Sequence, residues 1–370
     1  MNVPKIRFNN FTGEWEKVKL SSQAIFLQGL TYTPNDVSSE GTIVLRSSNI
    51  QNSMIDYNDI VRVNKQIPEK LKIKENDILM CVRNGSKSLV GKTAWLSKNE
   101  EKCTWGAFMN IIRPKGNNRF IYYFLNSKYF YNHVWKDLGT ATVNQITKQT
   151  LERCYLNIPS IKEQEKIANT LKLLDKKIEL QTKKIEDLKL FKLYIRKTAF
   201  LLNADNNIKL KDIVNCESSN ITLTDIENDN GMYPVYGATG FIKNIKNHKF
   251  DSEYIAIVKD GAGVGRTMIC PKNSSILATM NALIVKNNYP LNYICEMINT
   301  ISFDKYIVGS GIPHIYFKDY GNEEFVLHNI NDAIKFNNIF KCIDKKIELL
   351  NIKLDKLNTL KKGLMQNMFV

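Results

Sequence analysis

The stretch with the strongest claim to chemistry is Gly85-Ser86-Lys87-Ser88-Leu89-Val90-Gly91-Lys92-Thr93, which follows an apolar run and ends like a phosphate-binding loop. Such a loop rings the phosphates with backbone N–H groups and requires four residues between its glycines; here there are five. A related stretch, Asp260-Gly261-Ala262-Gly263-Val264-Gly265-Arg266-Thr267, has three residues between the matching glycines and Arg in place of Lys. One nucleotide cradle does not tolerate both changes. Asn84-Gly85 and Asp260-Gly261 are hairpin-turn dipeptides, so both stretches are expected to be β-hairpin loops of unequal length.

No Ser/His/Asp set or paired-acid motif stands out. His133, His248, His314 and His328 lack metal-ligand spacing, and the seven cysteines (Cys81, Cys103, Cys154, Cys216, Cys270, Cys295 and Cys342) contain no Cys-x-x-Cys. Odd and scattered, they read as buried reduced thiols rather than a disulfide framework or a zinc site. An adenine methyltransferase would carry an Asn/Asp-Pro-Pro-Tyr/Phe motif and a glycine-rich cofactor loop, and neither is found. The chain is expected to be non-catalytic, with no cofactor or metal of its own.

Polar and cationic side chains gather in loops between β-rich runs. In the first part these are Arg46, Ser47 and Asn49; Arg83 and Asn84; Lys87 and Lys92; and Thr142, Asn144 and Gln145. In the second they are Tyr236 and Thr239, Lys259 beside Asp260, Arg266, Lys272, and Ser310 with His314. Arg, Asn, Gln and Ser/Thr read base edges, while Lys and backbone N–H hold phosphates. Loops are polar in any protein, so each residue alone carries little. The set points to DNA.

Two long helices must position these loops. Asp175-Lys176-Lys177-Ile178-Glu179-Leu180 returns letter for letter as Asp344-Lys345-Lys346-Ile347-Glu348-Leu349, an offset of 169. Around the first copy Ile167, Leu171, Leu174, Ile178, Ile185, Leu188 and Ile195 fall on one heptad seam. Around the second, Phe336, Phe340, Ile343, Ile347, Leu350, Leu354, Leu357 and Leu364 do the same. Lys192 and Lys361 interrupt the seam in the same slot. A sustained heptad with charged flanks is a coiled-coil helix, and the two stripes are expected to pair within the chain, parallel or antiparallel. Ser160 with Glu163 after Pro159 reads as a capping box opening the first helix. The second copy has His328-Asn329-Ile330-Asn331-Asp332-Ala333 there, which weakens its start as a capping box.

The remainder is β-rich. Thr42–Leu45, Asp77–Val82, Thr93–Leu96 and Met109–Ile112 read as strands, and Ile121–Leu125 with the segment through Trp135 as helix. A second block replays the plan: Ile208-Lys209-Leu210 echoes Val18-Lys19-Leu20, Glu253–Lys259 echoes Asp77–Arg83, and Gly309–Ile315 stands where Gly139–Ile146 stood. The expected fold class is α+β, two globular blocks in tandem, each followed by a long helix. The expected boundaries are 1–158, 159–203, 204–328 and 329–370. Such internal duplication is the chain's main organising signal.

For 370 residues two or more domains are the default. A net charge of +15 suggests a polyanionic partner, although the helices hold +5 (160–202) and +4 (330–370) of it. No signal-peptide pattern or membrane-length apolar run is seen, so a cytoplasmic location is expected.

Together these features resemble the specificity (S) subunit of type I restriction–modification systems. The resemblance rests on Pro4-Lys5-Ile6-Arg7-Phe8 with Trp15, Gly41-Thr42-Ile43-Val44-Leu45-Arg46, Asp77-Ile78-Leu79 with Gly91-Lys92-Thr93-Ala94, and Tyr233-Pro234-Val235-Tyr236-Gly237-Ala238. Most specific is Ile158-Pro159-Ser160-Ile161-Lys162-Glu163-Gln164-Glu165-Lys166-Ile167-Ala168, leading into Leu174-Asp175-Lys176-Lys177-Ile178-Glu179. It implies that each block is a target recognition domain reading half of a bipartite double-stranded DNA site. It also implies that the helices pair antiparallel, with pseudo-two-fold symmetry, as a spacer. Two methyltransferase subunits using S-adenosylmethionine, and two motor-nuclease subunits using ATP and Mg, would be the partners. The other readings are an ATP-dependent enzyme built on Gly85–Thr93, and a coiled-coil scaffold without sequence readout.

Overall fold

The computed structural model describes residues 3–116, 118–138, 144–201, 207–309 and 311–370. The chain divides into two compact units, Met1–Leu180 with Leu354–Val370, and Gln181–Lys353. Each holds one globular block and a segment of both long helices.

In the first unit the central sheet is antiparallel, in the order β1 (Ala24–Gln28), β4 (Met109–Pro114), β2 (Ile78–Cys81), β3 (Thr93–Trp95). Strand β2 is apolar without alternation because both its faces are covered, and all four of its residues are fully buried. Asp77 opens it: its carboxylate accepts from the Lys74 N–H at 2.8 Å and pairs with both Nε and Nη2 of Arg113 at 2.7 Å. A second sheet places Cys103–Trp105 parallel to Thr42–Leu45. Helices α1 (Arg119–Leu125) and α2 (Lys128–Leu138) follow β4, and α1 is buried from Phe120 to Leu125. Glu16–Lys19 pairs antiparallel with Tyr155–Ile158, bringing the block's two ends together.

From there α3 (Ile161–Leu201) begins. The expected capping box does not form. Glu163 is buried and gives its carboxylate to Arg7 in two bonds of 2.8 Å, and Ser160 contributes its backbone carbonyl. A bidentate guanidinium outcompetes a single backbone N–H for the same oxygens.

In the second unit the same sheet recurs in the order β5 (Val214–Ser218), β8 (Met280–Val285), β6 (Tyr254–Val258), β7 (Thr267–Cys270). Helix α4 (Leu291–Ile298) follows, and Asn207–Lys209 pairs with Glu324–Val326 to close the block. Helix α5 (Ile330–Asn367) then starts behind Asn329, which caps it although the segment departs from the capping-box pattern. Asn329 Oδ1 accepts the Asp332 N–H at 3.0 Å while its Nδ2 donates to the Asp332 carboxylate at 2.8 Å.

The helices run antiparallel in both units. In the first, Ile167, Ala168 and Leu171 of α3 share a core with Met365, Met368 and Phe369, and Asp175 pairs with Lys361 at 2.7 Å. In the second, Gln181 Nε2 donates to the Leu350 carbonyl at 2.9 Å and Lys192 pairs with Asp344 at 2.6 Å. These ion pairs are one pair with the helices exchanged, since Lys192 and Asp175 become Lys361 and Asp344 on adding 169. The seam residues are buried or half-buried, whereas off-seam Leu173, Leu180, Leu190 and Leu349 are exposed.

Candidate nucleic-acid interface

The hairpin reading of Gly85–Thr93 holds. Strands β2 and β3 are antiparallel, with Met80 opposite Thr93, and β6 and β7 repeat this with Ile257 opposite Thr267. A phosphate cradle instead passes from a strand into a helix whose N-terminus faces the anion. The recurring glycines serve the turn. Gly91 and Gly265 have φ of +90° and +83°, a conformation costly for other residues, and their N–H groups close the loops onto Cys81 and Val258 carbonyls at 2.8 and 2.9 Å.

At this end of the first sheet several loops are tied together by backbone bonds. Val82 and Arg83 N–H groups donate to the Phe108 carbonyl at 3.0 and 3.2 Å, and Ile146 N–H donates to Val82 at 2.7 Å. Asn84 N–H donates to Asn144 O at 3.3 Å, Asn144 Nδ2 to Gly85 O at 3.1 Å, and Asn84 Nδ2 to Ser47 Oγ at 3.1 Å. On this frame Arg83 is exposed, its guanidinium 5.1 Å from the Phe108 ring centroid, and Gln145 is exposed beside it. Lys87 lies 4.7 Å from the Trp135 ring centroid. Arg46 is held by Asp59 at 2.8 Å.

Two expected DNA contacts of this block are committed elsewhere. Asn49 is fully buried; it accepts from Arg46 N–H and donates to the Asp56 and Asp59 carbonyls at 2.9 and 2.8 Å, so its amide is consumed in closing its own loop. Lys92 donates to the Ile50 carbonyl at 2.7 Å. Its counterpart Arg266 donates to Ala238 O at 3.1 Å, so both residues staple a hairpin to the neighbouring segment.

The second block builds the same frame from other residues. Lys259 and Asp260 N–H groups donate to the Thr279 carbonyl at 3.0 and 3.3 Å, Ile315 N–H to Lys259 O at 3.0 Å, and Gly261 N–H to Pro313 O at 2.8 Å. The partner of Arg83 in this frame is Asp260, one residue beyond the Lys259 that the sequence echo aligned with it. Asp260 is hydrogen-bonded to His314, whose ring centroid lies 4.2 Å from that of Tyr316 with the two planes tilted by 57°. Tyr236 is half-buried against Phe241, and burial raises its phenol pKa. Thr239 is exposed in the two-residue turn between Tyr233–Gly237 and Gly240–Ile245. Lys272 lies beyond the far end of β7 from the Gly261–Arg266 loop and does not join this group. Thr142 and Ser310 lie outside the described residues.

Five of the seven cysteines are buried, as expected, whereas Cys216 is half-buried and Cys342, on the outside of α5, is exposed. Burial pushes Cys154 and Cys270 up to about 12 and Cys103, Cys216 and Cys295 up to about 11, so none of these is a ready nucleophile. Among the described residues, no group of three or more His, Cys, Asp and Glu could hold a metal, and no helix is long and apolar enough to cross a membrane.

The frame and its duplication define a class: paired α+β blocks, each presenting unlike polar loops at one end of a similar sheet. The chain belongs to the family described as Type I restriction modification DNA specificity domain, which it matches twice, over residues 12–190 and 205–359. It is 29% identical over 181 residues to the StySPI specificity subunit of Salmonella potsdam and 31% over 167 residues to the EcoKI specificity subunit of Escherichia coli K12. These matches cover 47% and 43% of this chain, but 39% and 36% of those longer relatives. Among solved structures, the type I S subunit of M. genitalium aligns over 100% of this chain and 99% of its own, with a TM-score of 0.61 at 18% identity. A chain from a structure of type I R-M complex assembly and conformational transition aligns over 95% and 96%, with a TM-score of 0.56 at 14% identity.

Proposed function

We propose that this chain is the DNA sequence-specificity subunit of a type I restriction–modification complex, reading a bipartite site and performing no chemistry itself. One observation carries the reading. The same hydrogen-bonded frame is built twice and dressed differently, with Arg83, Asn84, Gln145 and Phe108 on one copy and Asp260, His314 and Thr279 on the other. Two similar frames with unlike polar faces suit two different half-sites. We assign DNA contact to Arg83, Asn84, Lys87, Asn144, Gln145 and Arg46 with Ser47 in the first block, and to Lys259, Thr239, Tyr236 and His314 in the second.

In this reading residues 1–158 and 204–328 are the recognition domains, and 159–203 and 329–370 form a coiled-coil ruler that sets the unread gap. Two methyltransferase subunits, carrying S-adenosylmethionine, and two motor-nuclease subunits, using ATP and Mg, supply the chemistry, in the cytoplasm. Exposed apolar side chains off the seam, such as Leu190 and Tyr194 (both 65% exposed), support docking of partner subunits on the helices.

The test is to co-express the chain with its methyltransferase subunit and map adenine methylation across a genome. A bipartite motif with one fixed gap is expected, and replacing 204–328 with another block should change one half-site only. A stable complex without a motif would favour the scaffold reading, and a change in both half-sites would refute independent blocks.

A further inference from the structure

The first block has a cavity that the duplicated frame does not require. It measures about 660 Å³, within the range of roughly 300–1,000 Å³ typical of small-molecule sites. Tyr32 and Phe108 supply aromatic walls, Ser47 and Ser48 hydroxyls, and Arg46 a cation. Asp59 holds Arg46 through Nη2, leaving Nη1 without a partner among the described residues. An aromatic wall with a few fixed donors suits a flat heterocycle that carries acceptors.

The rim shows which heterocycle arrives. Phe108 is 58% exposed, although its backbone is pinned from three sides. Its carbonyl takes the Val82 and Arg83 N–H groups, the neighbouring Met109 N–H donates to Gly106 O at 2.9 Å, and Gly106 N–H donates to Leu45 O at 3.0 Å. An exposed ring on a fixed platform, with the Arg83 cation over it and Gln145 alongside, stands on the face proposed to meet DNA. Apolar side chains on such faces enter base steps and unstack them, and a displaced base is bound by stacking and by hydrogen bonds to its edge. At the matching frame positions of the second block, Thr279 takes the place of Phe108 and Asp260 that of Arg83.

We propose that the first block binds one nucleobase displaced from the duplex, with Phe108 as the wedge and the cavity between Tyr32, Phe108 and Arg46 as the receiving site. This rests on the DNA-reading function proposed above. It assigns a local DNA distortion to one half-site, separate from any extrusion of the methylated adenine by the catalytic subunits.

The experiment uses the assembled methyltransferase complex on its mapped site, after the block replacement above has told which half-site belongs to the first block. 2-Aminopurine is placed in turn at every position of both half-sites except the methylated adenines. Fluorescence should rise several-fold at one position of the first block's half-site and at none in the other. Phe108→Ala should remove the rise while the second half-site is still read, and Phe108→Tyr should keep it. Specific binding without a rise, a rise that survives Phe108→Ala, or equal rises in both half-sites would each overturn the proposal and leave the recognition function standing. Absence of sequence-specific binding by the wild-type complex would overturn both.

Discussion

At the residue scale, polar side chains of the same type and region divide into two groups that only the structure separates. Asn49 and Arg83 were equivalent in the sequence, each a base-reading residue type in a loop. Asn49 is buried and satisfies two carbonyls, whereas Arg83 is exposed beside Phe108. Asn49→Ala should therefore destabilise the first block by about 1–3 kcal/mol through the acceptors it strands, lowering Tm by a few degrees. It should leave the DNA preference of the folded protein unchanged. Arg83→Ala should do the reverse, with Tm within about a degree of wild type and specific affinity down by about 1–3 kcal/mol, as for loss of one base-reading arginine. Thermal unfolding and competition binding on the same samples check the pair; a large Tm loss for Arg83→Ala would return that residue to the scaffold. His328 offers a pH test. Burial among the Phe200, Tyr293 and Phe336 rings lowers its pKa from the usual 6.5, and Asp332 only partly opposes this. The folded state thus binds the proton less well than the unfolded one. His328's contribution is complete above about pH 6.5 and is lost as pH falls from there toward the lowered folded value. Wild type should lose more stability than His328→Gln between pH 7.5 and 5.5, and parallel curves in denaturant titrations would contradict this.

At the element scale, the helices were legible because heptad periodicity is local and survives without coordinates. The heptad positions from Ile167 to Ile195 and from Phe336 to Leu364 are buried or half-buried along both helices. What was not legible needs the partner's position. Lys192 and Lys361 looked like interruptions until the antiparallel register set them against Asp344 and Asp175. The caps inverted for a similar reason, because Glu163 is claimed by Arg7, far away in sequence. Each seam ion pair is also tied to its own block, by Tyr123 donating to Asp175 at 2.7 Å in the first unit and by Glu296 pairing with Lys192 at 2.7 Å in the second. Tyr123 and Glu296 occupy the same place, three residues before the Asn126 and Asn299 that end α1 and α4. Glu296 is only 4% exposed and also takes two bonds from Arg196, which the 169 offset aligns with Met365. Glu296→Gln should cost about 3–5 kcal/mol, because it removes the buried carboxylate that both Lys192 and Arg196 are paired with. Arg196→Met with Glu296→Tyr copies the first unit's arrangement and should recover most of that loss in thermal unfolding. A double variant as unstable as the single one would show that the slot is not interchangeable.

At the scale of the whole molecule, duplication was readable but the surfaces were not, since backbone bonds reveal that Arg83 corresponds to Asp260 where letter similarity suggested Lys259. The ruler reading can be tested without disturbing either surface. Deleting 178–184 and 347–353 removes one matched heptad from each helix and keeps Asp175 opposite Lys361 and Lys192 opposite Asp344. At 1.5 Å per residue the spacer shortens by about 10 Å, or about three base pairs at 3.4 Å each. The unread gap should contract by about that amount while both half-site sequences stay the same. Rotation opposes the change. Three base pairs turn the half-sites by roughly 100° about the DNA axis at 10–10.5 base pairs per turn, whereas loss of a heptad turns a helix by only about 20°. The shortened protein must twist the intervening DNA, so methylation at the new gap should be less complete and should respond to supercoiling. Genome-wide methylation mapping of the deletion variant reads gap and occupancy together. Full methylation at the original gap would mean that the helices do not measure the site.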